Sequence, residues 1–431
     1  MLSAGDNALL TATSRGTEMG DLLRRFWAPF LVSDELPRPD CPPIRTRLMG
    51  EALVAFRDTS GRVGLLAERC PHRRASLYFG RSEEHGLRCI YHGWKFDADG
   101  QCVDMPSEPA TSNYKEKVRQ TAYPTVEAGG VVWAYLGPAG QIPAMPDFSW
   151  LRLPPSHVHV TKRLERTNWV QGLEGGIDSA HSNFLHSTVD SFRRTPAWLE
   201  RARAATDLRT RYHALDRSPV FLPEDTDYGL RVGARRDIGE GAHYWRFTHW
   251  LMPFYNLFRQ GSAKPGMNSA GIAWTPIDDD SCWTIVATWN EERPLSGEDI
   301  EAAEEFAGPA LPGSFLPVRN MENDYMIDRE VQVNGTFSGI PGIQAQDMAV
   351  QESMGSIVAR SEEHLGTSDA AIIRMRRRLI RQARSLADGG DAPLASRDGS
   401  VYRVRFADTL VQEGEELDAA ARERLCAPAA S

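Results

Sequence analysis

Residues 70–94 read CPHRRASLYFGRSEEHGLRCIYHGW and contain two short motifs, each with one cysteine and one histidine. The first motif is Cys70-x-His72 and the second is Cys89-x-x-His92, with sixteen residues between them. The whole chain of 431 residues has only six cysteines and eleven histidines, so this stretch concentrates both residue types. Because six scattered cysteines are too few to staple a chain of this length with disulfides, the spacing indicates a metal site.

The order of the ligand types within the two motifs favours an iron–sulfur cluster over a zinc finger. A C2H2 finger separates its cysteine pair from its histidine pair, whereas each loop here offers one of each. This arrangement suits a Rieske [2Fe–2S] cluster, in which Cys70 and Cys89 would bind one iron and His72 and His92 the other. A structural zinc knuckle in a β-ribbon is the alternative interpretation at this point.

Composition excludes several other classes of protein. The chain has 49 Lys and Arg against 58 Asp and Glu, for a formal net charge of -9. General binding to nucleic acid or anionic membranes requires surplus positive charge, so neither is expected. The first residues, MLSAGDNALLTATSRG, do not resemble a signal peptide, and no apolar run approaches the ~18 residues of a membrane span. A cytoplasmic, reducing location is therefore expected.

The pattern of apolar, polar and turn-forming residues changes along the chain and predicts three regions. Residues 1–35 are predicted to be a helical segment, with an amphipathic helix over 17–31 that ends near Pro29. Residues 36–145 show short alternating runs broken by turn signals and are predicted to be an all-β domain. Residues 146–431 mix helix and strand. They include strands in 242–254 and 281–290, and a long helix that begins near a Ser368 cap and stops at Gly389-Gly390. Its arginine cluster is interpreted as a solvated face, with reductase docking as the alternative.

A second set of candidate ligands lies in NWVQGLEGGIDSAHSNFLH, residues 168–186. Asp178 and His181 belong to a polar stripe beside an apolar helix face, and buried carboxylates need a partner, a proton or a metal. His181 and His186 would lie about 140° apart on an ideal helix, so they converge only through a π-type bulge or an early helix end. Two imidazoles and one carboxylate form the facial triad of non-haem Fe(II).

Together the two motifs resemble the terminal oxygenase (alpha) subunits of Rieske non-haem iron ring-hydroxylating oxygenases. The segments RTNWVQGLEGGIDSAHSNFLH and QDMAVQESMG are most similar to the phthalate dioxygenase-like branch. The resemblance implies an α+β chain, with an N-terminal all-β Rieske [2Fe–2S] domain. A C-terminal catalytic domain of the helix-grip type, with an antiparallel sheet flanked by helices, would follow. The expected domains are 36–145 for the cluster and 146–431 for a mononuclear Fe(II).

The resemblance also implies roles for individual residues. His181 and His186 match the histidine ligands of the catalytic iron, and Asp347 best matches the third ligand. Asp178 matches an aspartate that bridges a catalytic-iron histidine to a Rieske histidine of a neighbouring subunit, here His181 and the neighbouring copy's His92. The weaker candidates for the third ligand are Asp324, Asp328 and Glu352. One departure from the family pattern is Arg74, which stands where many relatives have glycine.

The implied reaction uses O₂ and electrons from NAD(P)H to hydroxylate an aromatic substrate, with an aromatic carboxylate such as a phthalate isomer or substituted benzoate expected. Because the chain has no GxGxxG or P-loop motif, the flavin/iron–sulfur reductase is expected to be a separate protein. A homotrimer or homohexamer is implied. Arg246, and after it Arg209, are the candidates for binding the substrate carboxylate. The alternatives are a monooxygenase or O-demethylase acting on an aryl ether, and a Rieske electron-transfer protein without catalytic iron.

Overall fold

The computed structural model describes residues 2–205, 211–212, 216–239, 241–258 and 268–412. In this part of the chain no helix is both long enough and apolar enough to cross a membrane. The strands are β1 (Trp27–Val32), β2 (Ile44–Leu48), β3 (Glu51–Arg57), β4 (Val63–Ala67), β5 (Arg81–Glu83), β6 (Gly86–Arg88), β7 (Lys95–Phe96), β8 (Cys102–Asp104), β9 (Ala122–Tyr123), β10 (Thr125–Ala128), β11 (Val131–Tyr135), β12 (Val158–Glu165), β13 (Val220–Thr226), β14 (Gly229–Gly239), β15 (Ala242–Leu251), β16 (Tyr255–Phe258), β17 (Ser269–Pro276), β18 (Cys282–Trp289) and β19 (Ala407–Gln412). The α-helices are α1 (Ala4–Thr11), α2 (Glu18–Leu23), α3 (Trp169–Ile177), α4 (Val189–Arg193), α5 (Pro196–Ala204), α6 (Gly297–Ala307), α7 (Arg329–Asn334), α8 (Ile343–Ser353) and α9 (Ala370–Ala387).

Three small antiparallel sheets form the N-terminal β domain. Their strand orders are β1-β11-β10, β2-β3-β4-β9 and β5-β6-β7-β8. The predicted strand–turn–strand around residues 58–61 is the β3–β4 hairpin, and the turn at Asp99-Gly100 joins β7 to β8. Gly100 has a φ of 79°, a conformation that glycine adopts without the strain of a side chain. The expected all-β domain is confirmed.

One large antiparallel sheet organises the rest of the chain. Its strand order is β12-β18-β17-β16-β15-β14-β13, and β19 pairs with the first half of β15. Helix α3 packs on β15, β16 and β17, α6 packs on β12, and α9 packs on β13 and β14. The expected antiparallel sheet flanked by helices is confirmed. Helix α8 contacts both α3 and α6, so these two helices hold it beside the sheet.

Aromatic side chains join the two parts into one continuous core. Trp133 of β11 lies with its ring centroid 6.2 Å from that of Tyr255 in β16 and 5.9 Å from that of Trp150. The Tyr255 hydroxyl donates a hydrogen bond to the carbonyl of Trp27 in β1. Large aromatic surfaces dominate the free energy gained by burial, so this contact fixes the β domain against the large sheet.

The helix predicted over residues 17–31 is wrong in its second half. Helix α2 ends at Leu23, and Trp27–Val32 form strand β1, which pairs with Val131–Tyr135. The register shifts between Pro29 and Leu31, which lets the sheet accept a proline that has no N–H to donate. Pairing with a strand that is distant in the sequence therefore outweighs the local preference of these residues for a helix. The domain boundaries at residues 36 and 146 stay predictions.

Two details of the other helices also differ from expectation. Helix α3 stops at Ile177 rather than continuing to His186, so the chain follows the early-end alternative. Helix α9 begins at Ala370 with Asp369 rather than Ser368 at the N-cap position, and Ser368 lies in the preceding turn. The arginine cluster on α9 is only partly a solvated face, because Arg376 is buried.

The buried carboxylate of Glu174 explains where Arg376 points. Arg376 Nε donates to Glu174 Oε1 at 2.6 Å, and Arg360 donates to both Glu174 oxygens at 3.1 Å. Arg376 also pairs with Glu363. Burial raises the pKa of Glu174, but the two guanidinium groups outweigh burial and lower it overall. Helix α3 is thus linked to α9 by ion pairs among three buried side chains, those of Glu174, Arg360 and Arg376.

We expect Glu174→Ala to lower the free energy of unfolding by about 3–5 kcal/mol, because it leaves two buried guanidinium groups without their carboxylate. Equilibrium denaturant unfolding, followed by tryptophan fluorescence, measures the loss. The matched control is Glu224→Ala, which removes a half-exposed partner of Arg231 on the surface and should cost less than about 1 kcal/mol. Equal losses in the two variants would contradict this account of the cluster.

Candidate active site

The two Cys-His loops have the same backbone construction. The N–H of Arg74 donates to the Cys70 carbonyl at 2.9 Å, and the N–H of Gly93 donates to the Cys89 carbonyl at 3.0 Å. Each of these donors lies four residues after its cysteine and has a positive φ, 65° for Arg74 and 77° for Gly93. A left-handed residue closes each loop, which explains why glycine suits position 74 and why arginine there carries backbone strain.

The side chains of the loops separate by chemistry. The thiols of Cys70 and Cys89 are buried, whereas the imidazoles of His72 and His92 are half-exposed and lie with ring centroids 4.4 Å apart. His72 stacks on Trp94 at 4.3 Å, which fixes the plane of its ring. A hydrogen bond from Cys70 lowers the pKa of the Cys89 thiol to about 6. Two thiols together inside and two imidazoles together outside fit a two-iron cluster with unlike ends.

Three side chains converge at one point, two from the segment that follows α3 and one from helix α8. His181 Nε2 and His186 Nε2 are 3.2 Å apart, and Asp347 Oδ1 lies 3.5 Å and 3.1 Å from them. Within the described residues, these three form the only group of at least three His, Cys, Asp or Glu side chains whose potential ligand atoms lie within 4.8 Å of one another. Two imidazole nitrogens and one carboxylate oxygen at this spacing fit a mononuclear non-haem iron.

The other candidates for the third ligand lie elsewhere. Asp324 is exposed, and Asp328 caps α7 by accepting hydrogen bonds from two backbone N–H groups. Glu352 accepts a hydrogen bond from the backbone N–H of Arg166. Among the acidic residues considered from the sequence, only Asp347 faces both histidines.

Close packing of α3 on the sheet fixes the start of the segment that carries His181 and His186. A side chain at Gly172 would place its Cβ 2.2 Å from the Trp274 ring, and one at Gly176 would place it 2.3 Å away. The glycines therefore let α3 lie directly on β17. The helix ends at Asp178, whose extended backbone turns the chain so that His181 begins a short 3₁₀ turn. This turn brings His181 and His186 together without a π-bulge.

Each imidazole is oriented by a hydrogen bond from its second nitrogen. His181 Nδ1 lies 3.2 Å from Asp178 Oδ2, and His186 Nδ1 lies 2.7 Å from Gln346 Oε1. Gln346 Nε2 donates to the Ile340 carbonyl, so its oxygen must face His186. These acceptors favour a proton on Nδ1 of each ring, so that Nε2 is the nitrogen that each ring would offer to a metal. The sequence reasoning missed Gln346, although its place directly before Asp347 was a usable signal.

The electrostatics of the three side chains favour a cation. Burial raises the pKa of Asp347, but the two imidazoles outweigh it and lower the pKa to about 2. Burial lowers the pKa of His181, but Asp178 and Asp347 raise it overall to about 10. The two carboxylates therefore stay anionic at neutral pH and favour positive charge beside them, carried by the protonated His181 when no metal is bound and by a metal ion that would displace that proton.

A cavity of about 800 Å³ opens beside the three ligands. Arg246 of β15 lines it, is only 7 % exposed, and has Nη1 3.4 Å from Ser179 Oγ. Thr248, two residues further along the same face of β15, also lines the cavity. Apolar wall comes from Phe258, Ile272, Trp274 and Phe306. Arg209, the second candidate for substrate binding, lies outside the described residues.

Comparison with known families matches both parts of the chain. Residues 26–115 match the Rieske [2Fe–2S] domain, and residues 134–411 match the family described as LigXa C-terminal domain like. The oxygenase subunit of phthalate 4,5-dioxygenase from Pseudomonas putida is 42% identical over 389 residues, covering 88% of this chain and 86% of the relative. The oxygenase subunit of 3-chlorobenzoate-3,4-dioxygenase from Comamonas testosteroni is 38% identical over 402 residues, covering 90% of each.

A third relative is named for a different activity. The oxygenase subunit of 5,5'-dehydrodivanillate O-demethylase from Sphingobium sp. is 30% identical over 435 residues, covering 97% of this chain and 91% of the relative. Among solved structures, dicamba monooxygenase bound to 3,6-dichlorosalicylic acid has a TM-score of 0.59 at 18% identity, covering 85% of this chain and 98% of the other. That likeness supports the fold alone.

The family match and the long alignments with oxygenase subunits agree with the two converging sets of side chains. The Rieske domain carries a [2Fe–2S] cluster, and the oxygenase relatives carry a mononuclear non-haem iron at the catalytic site. Proteins with both centres are oxygenases, which argues against the alternative of a Rieske electron-transfer protein without catalytic iron. The chain belongs to the Rieske non-haem iron ring-hydroxylating oxygenases, as a terminal oxygenase subunit of the phthalate dioxygenase-like branch.

Proposed function

We propose that this oxygenase subunit hydroxylates an aromatic carboxylate whose carboxyl group is bound by Arg246. The observation that carries the proposal is a buried guanidinium in the wall of the cavity that also holds His181, His186 and Asp347. A planar guanidinium can bind a carboxylate through two parallel hydrogen bonds and so fix the orientation of the ring. The names of the phthalate and chlorobenzoate relatives support the same substrate class.

The rest of the cavity suits the ring of such a substrate. Phe258, Ile272, Trp274 and Phe306 offer an apolar surface, and ligand sites typically combine such walls with a few placed polar groups. A carboxylate at Arg246 would leave the ring free to approach the two histidines. Orientation of the ring toward the metal position decides which carbon reacts.

Four residues would hold the Rieske cluster, and three would hold the catalytic iron. Cys70, Cys89, His72 and His92 are the proposed cluster ligands. Iron held by His181, His186 and Asp347 would supply O₂ activation, and a cluster held by the two Cys-His loops would supply electrons one at a time. One O₂, two electrons and two protons convert an arene to a cis-dihydrodiol, whereas the monooxygenase reaction inserts one oxygen atom and releases water. An NAD(P)H-dependent flavin/iron–sulfur reductase would provide the electrons.

Asp178 is the proposed positioning residue between the two centres. Its carboxylate accepts from the Ala180 N–H at 2.7 Å and faces His181 Nδ1, which leaves it firmly placed at the surface of the cavity. Burial raises its pKa, but His181 lowers it overall, so it remains an anion. In a trimer or hexamer it would also accept a hydrogen bond from the neighbouring copy's half-exposed His92, which would shorten the path of the electron.

O-demethylation of an aryl ether is the second candidate. The observation that favours it is the Sphingobium relative, which aligns with 97% of this chain and is named an O-demethylase. The proposed metal ligands would serve both reactions, since the two differ in which carbon the cavity presents. Product analysis separates them, because demethylation releases the methyl carbon and hydroxylation of the ring retains it.

Substrate screening tests the proposal directly. The purified holoenzyme, supplied with a reductase and NADH, should consume O₂ and form product with phthalate isomers, chlorobenzoates, phenoxybenzoates or methoxybenzoates. The matched compounds without the carboxylate, such as anisole and chlorobenzene, should give little turnover. Turnover confined to compounds without a carboxylate would overturn the proposed substrate class.

We expect His181→Ala and His186→Ala to lose the mononuclear iron and all product formation while keeping the Rieske EPR signal. Each substitution removes one of three proposed ligands and leaves the Cys-His loops intact. Iron analysis and EPR of the dithionite-reduced protein measure the two centres separately. His364→Ala, at an exposed position, is the control and should keep both. Full iron content and turnover in either ligand variant would refute the assignment.

We expect Asp178→Asn to keep both metal centres but to slow product formation by at least about 100-fold, since the electron path and the orientation of His181 both depend on the carboxylate. Stopped-flow oxidation of the reduced Rieske cluster by O₂ in the presence of substrate measures the step directly. A variant that retains near wild-type cluster oxidation and turnover would show that Asp178 is not part of the path. Asp190→Asn, at an exposed position, is the matched control.

We expect Arg246→Ala to raise KM for the carboxylate substrate by about tenfold to hundredfold, the loss typical of a charged hydrogen bond. Arg246→Lys should retain part of the affinity because it keeps the charge without the planar fork. Steady-state kinetics with iron content checked in parallel gives the measurement. Arg374→Ala, which removes an exposed partner of Asp225, is the control. An unchanged KM in Arg246→Ala would show that Arg246 does not bind the substrate carboxylate.

A further inference from the structure

The two histidines of the Cys-His loops have unlike surroundings. The ring centroid of His72 lies 4.3 Å from that of Trp94, and the two ring planes differ by only 9°. The ring of His92 instead contacts Tyr91, the residue directly before it, which is 52 % exposed. One imidazole is therefore covered by a buried indole face, whereas the other lies beside an exposed ring.

Several contacts hold Trp94 in place. It is only 3 % exposed and packs in the same buried cluster of side chains as Cys70 and Cys89. Its indole N–H donates a hydrogen bond to Ser107 Oγ at 3.2 Å, and its backbone carbonyl accepts one from the Cys89 N–H at 2.9 Å. Because packing and hydrogen bonds both fix the indole, it cannot turn away from His72 without breaking these contacts.

An indole face on a cluster ligand affects the two oxidation states of the cluster differently. A [2Fe–2S] cluster with two thiolates and two neutral imidazoles has no net charge when oxidised and one negative charge when reduced. Burial beneath an apolar ring keeps water away and so disfavours the charged, reduced form. The face of an aromatic ring is itself negative, so it attracts an imidazole more strongly when oxidised iron makes that imidazole electron-poor. Both effects oppose reduction.

We propose that Trp94 is a positioning residue that lowers the reduction potential of the Rieske cluster through its stack on His72. This inference rests on the proposed role of His72 as a cluster ligand. A lower potential makes the reduced cluster a stronger donor of its one electron, so transfer to the catalytic iron becomes more favourable. The same indole keeps His72 covered and leaves His92 as the more accessible of the two imidazoles.

Redox titration of the holoenzyme, followed by the EPR signal of the reduced cluster, measures the potential of Trp94 variants. Trp94→Leu removes the ring and should raise the equilibrium constant for reduction about tenfold, which is 59 mV for one electron. Trp94→Phe keeps an aromatic face and should shift the potential by less than half as much. Tyr114→Leu is the control, since the Tyr114 ring packs edge-on against Trp94 at 6.0 Å, and it should leave the potential unchanged.

Fluorinated tryptophan separates the electrostatics of the ring from its shape. Replacement of tryptophan by 5-fluorotryptophan during expression preserves the packing but makes the ring face less negative. It should raise the equilibrium constant for reduction about twofold, by the same one-electron relation. The matched control is the same replacement in Trp94→Phe, which keeps ten of the eleven tryptophans and should show no shift.

The outcomes separate this inference from the assignment on which it rests. An unchanged or lower potential in Trp94→Leu with full sulfide content would overturn the inference alone, and so would equal shifts in Trp94→Leu and either Trp94→Phe or Tyr114→Leu. If Trp94→Leu fails to hold the cluster, the fluorotryptophan comparison decides, and equal potentials with and without fluorine would overturn the inference. A full Rieske EPR signal in His72→Ala would instead refute His72 as a ligand, and the inference with it.

Discussion

The convergence of two imidazoles and one carboxylate at a single point constrains the rest of the catalytic part of the molecule. Nε2 of His181, Nε2 of His186 and Oδ1 of Asp347 come within 3.5 Å of one another, although the carboxylate is far from the histidines in the sequence. Withdrawing two imidazoles and a carboxylate from water is costly unless a cation, their mutual attraction or hydrogen bonds compensate for it. The surrounding structure must therefore hold α3 and α8 together against that cost.

Several features of the fold serve this purpose. The glycines of α3 let the helix lie directly on Trp274, and the buried Glu174 ties α3 to Arg360 and to Arg376 of α9. Asp178 and Gln346 then fix the planes of the two rings. The three kinds of contact hold the site by different means: steric contact at the glycines of α3, ion pairing at Glu174, and directed hydrogen bonds at Asp178 and Gln346. Preorganisation of this kind matters for catalysis, because even a small displacement of the reacting groups lowers the rate strongly.

Much of this arrangement was predictable from the sequence, and the failures have physical causes. The paired Cys-His spacing around residues 70–92 and the 168–186 segment are local patterns that predicted the two centres and the fold class. The local pattern at residues 27–32 predicts helix, and the strand escapes prediction because its partner strand at 131–135 lies far along the chain. Gln346 could be suspected only from its place directly before Asp347, because an amide gives no local signal of its direction. That direction depends on how α8 packs over the cavity.

The most direct test of the central claim is the metal content of the purified wild-type protein. A Rieske cluster together with a separate catalytic iron predicts about three irons and about two acid-labile sulfides per chain, with the EPR signal of a Rieske centre after reduction. About two irons with the same sulfide content would show that the convergent histidines and Asp347 hold no metal. Zinc without sulfide would contradict the assignment of both centres.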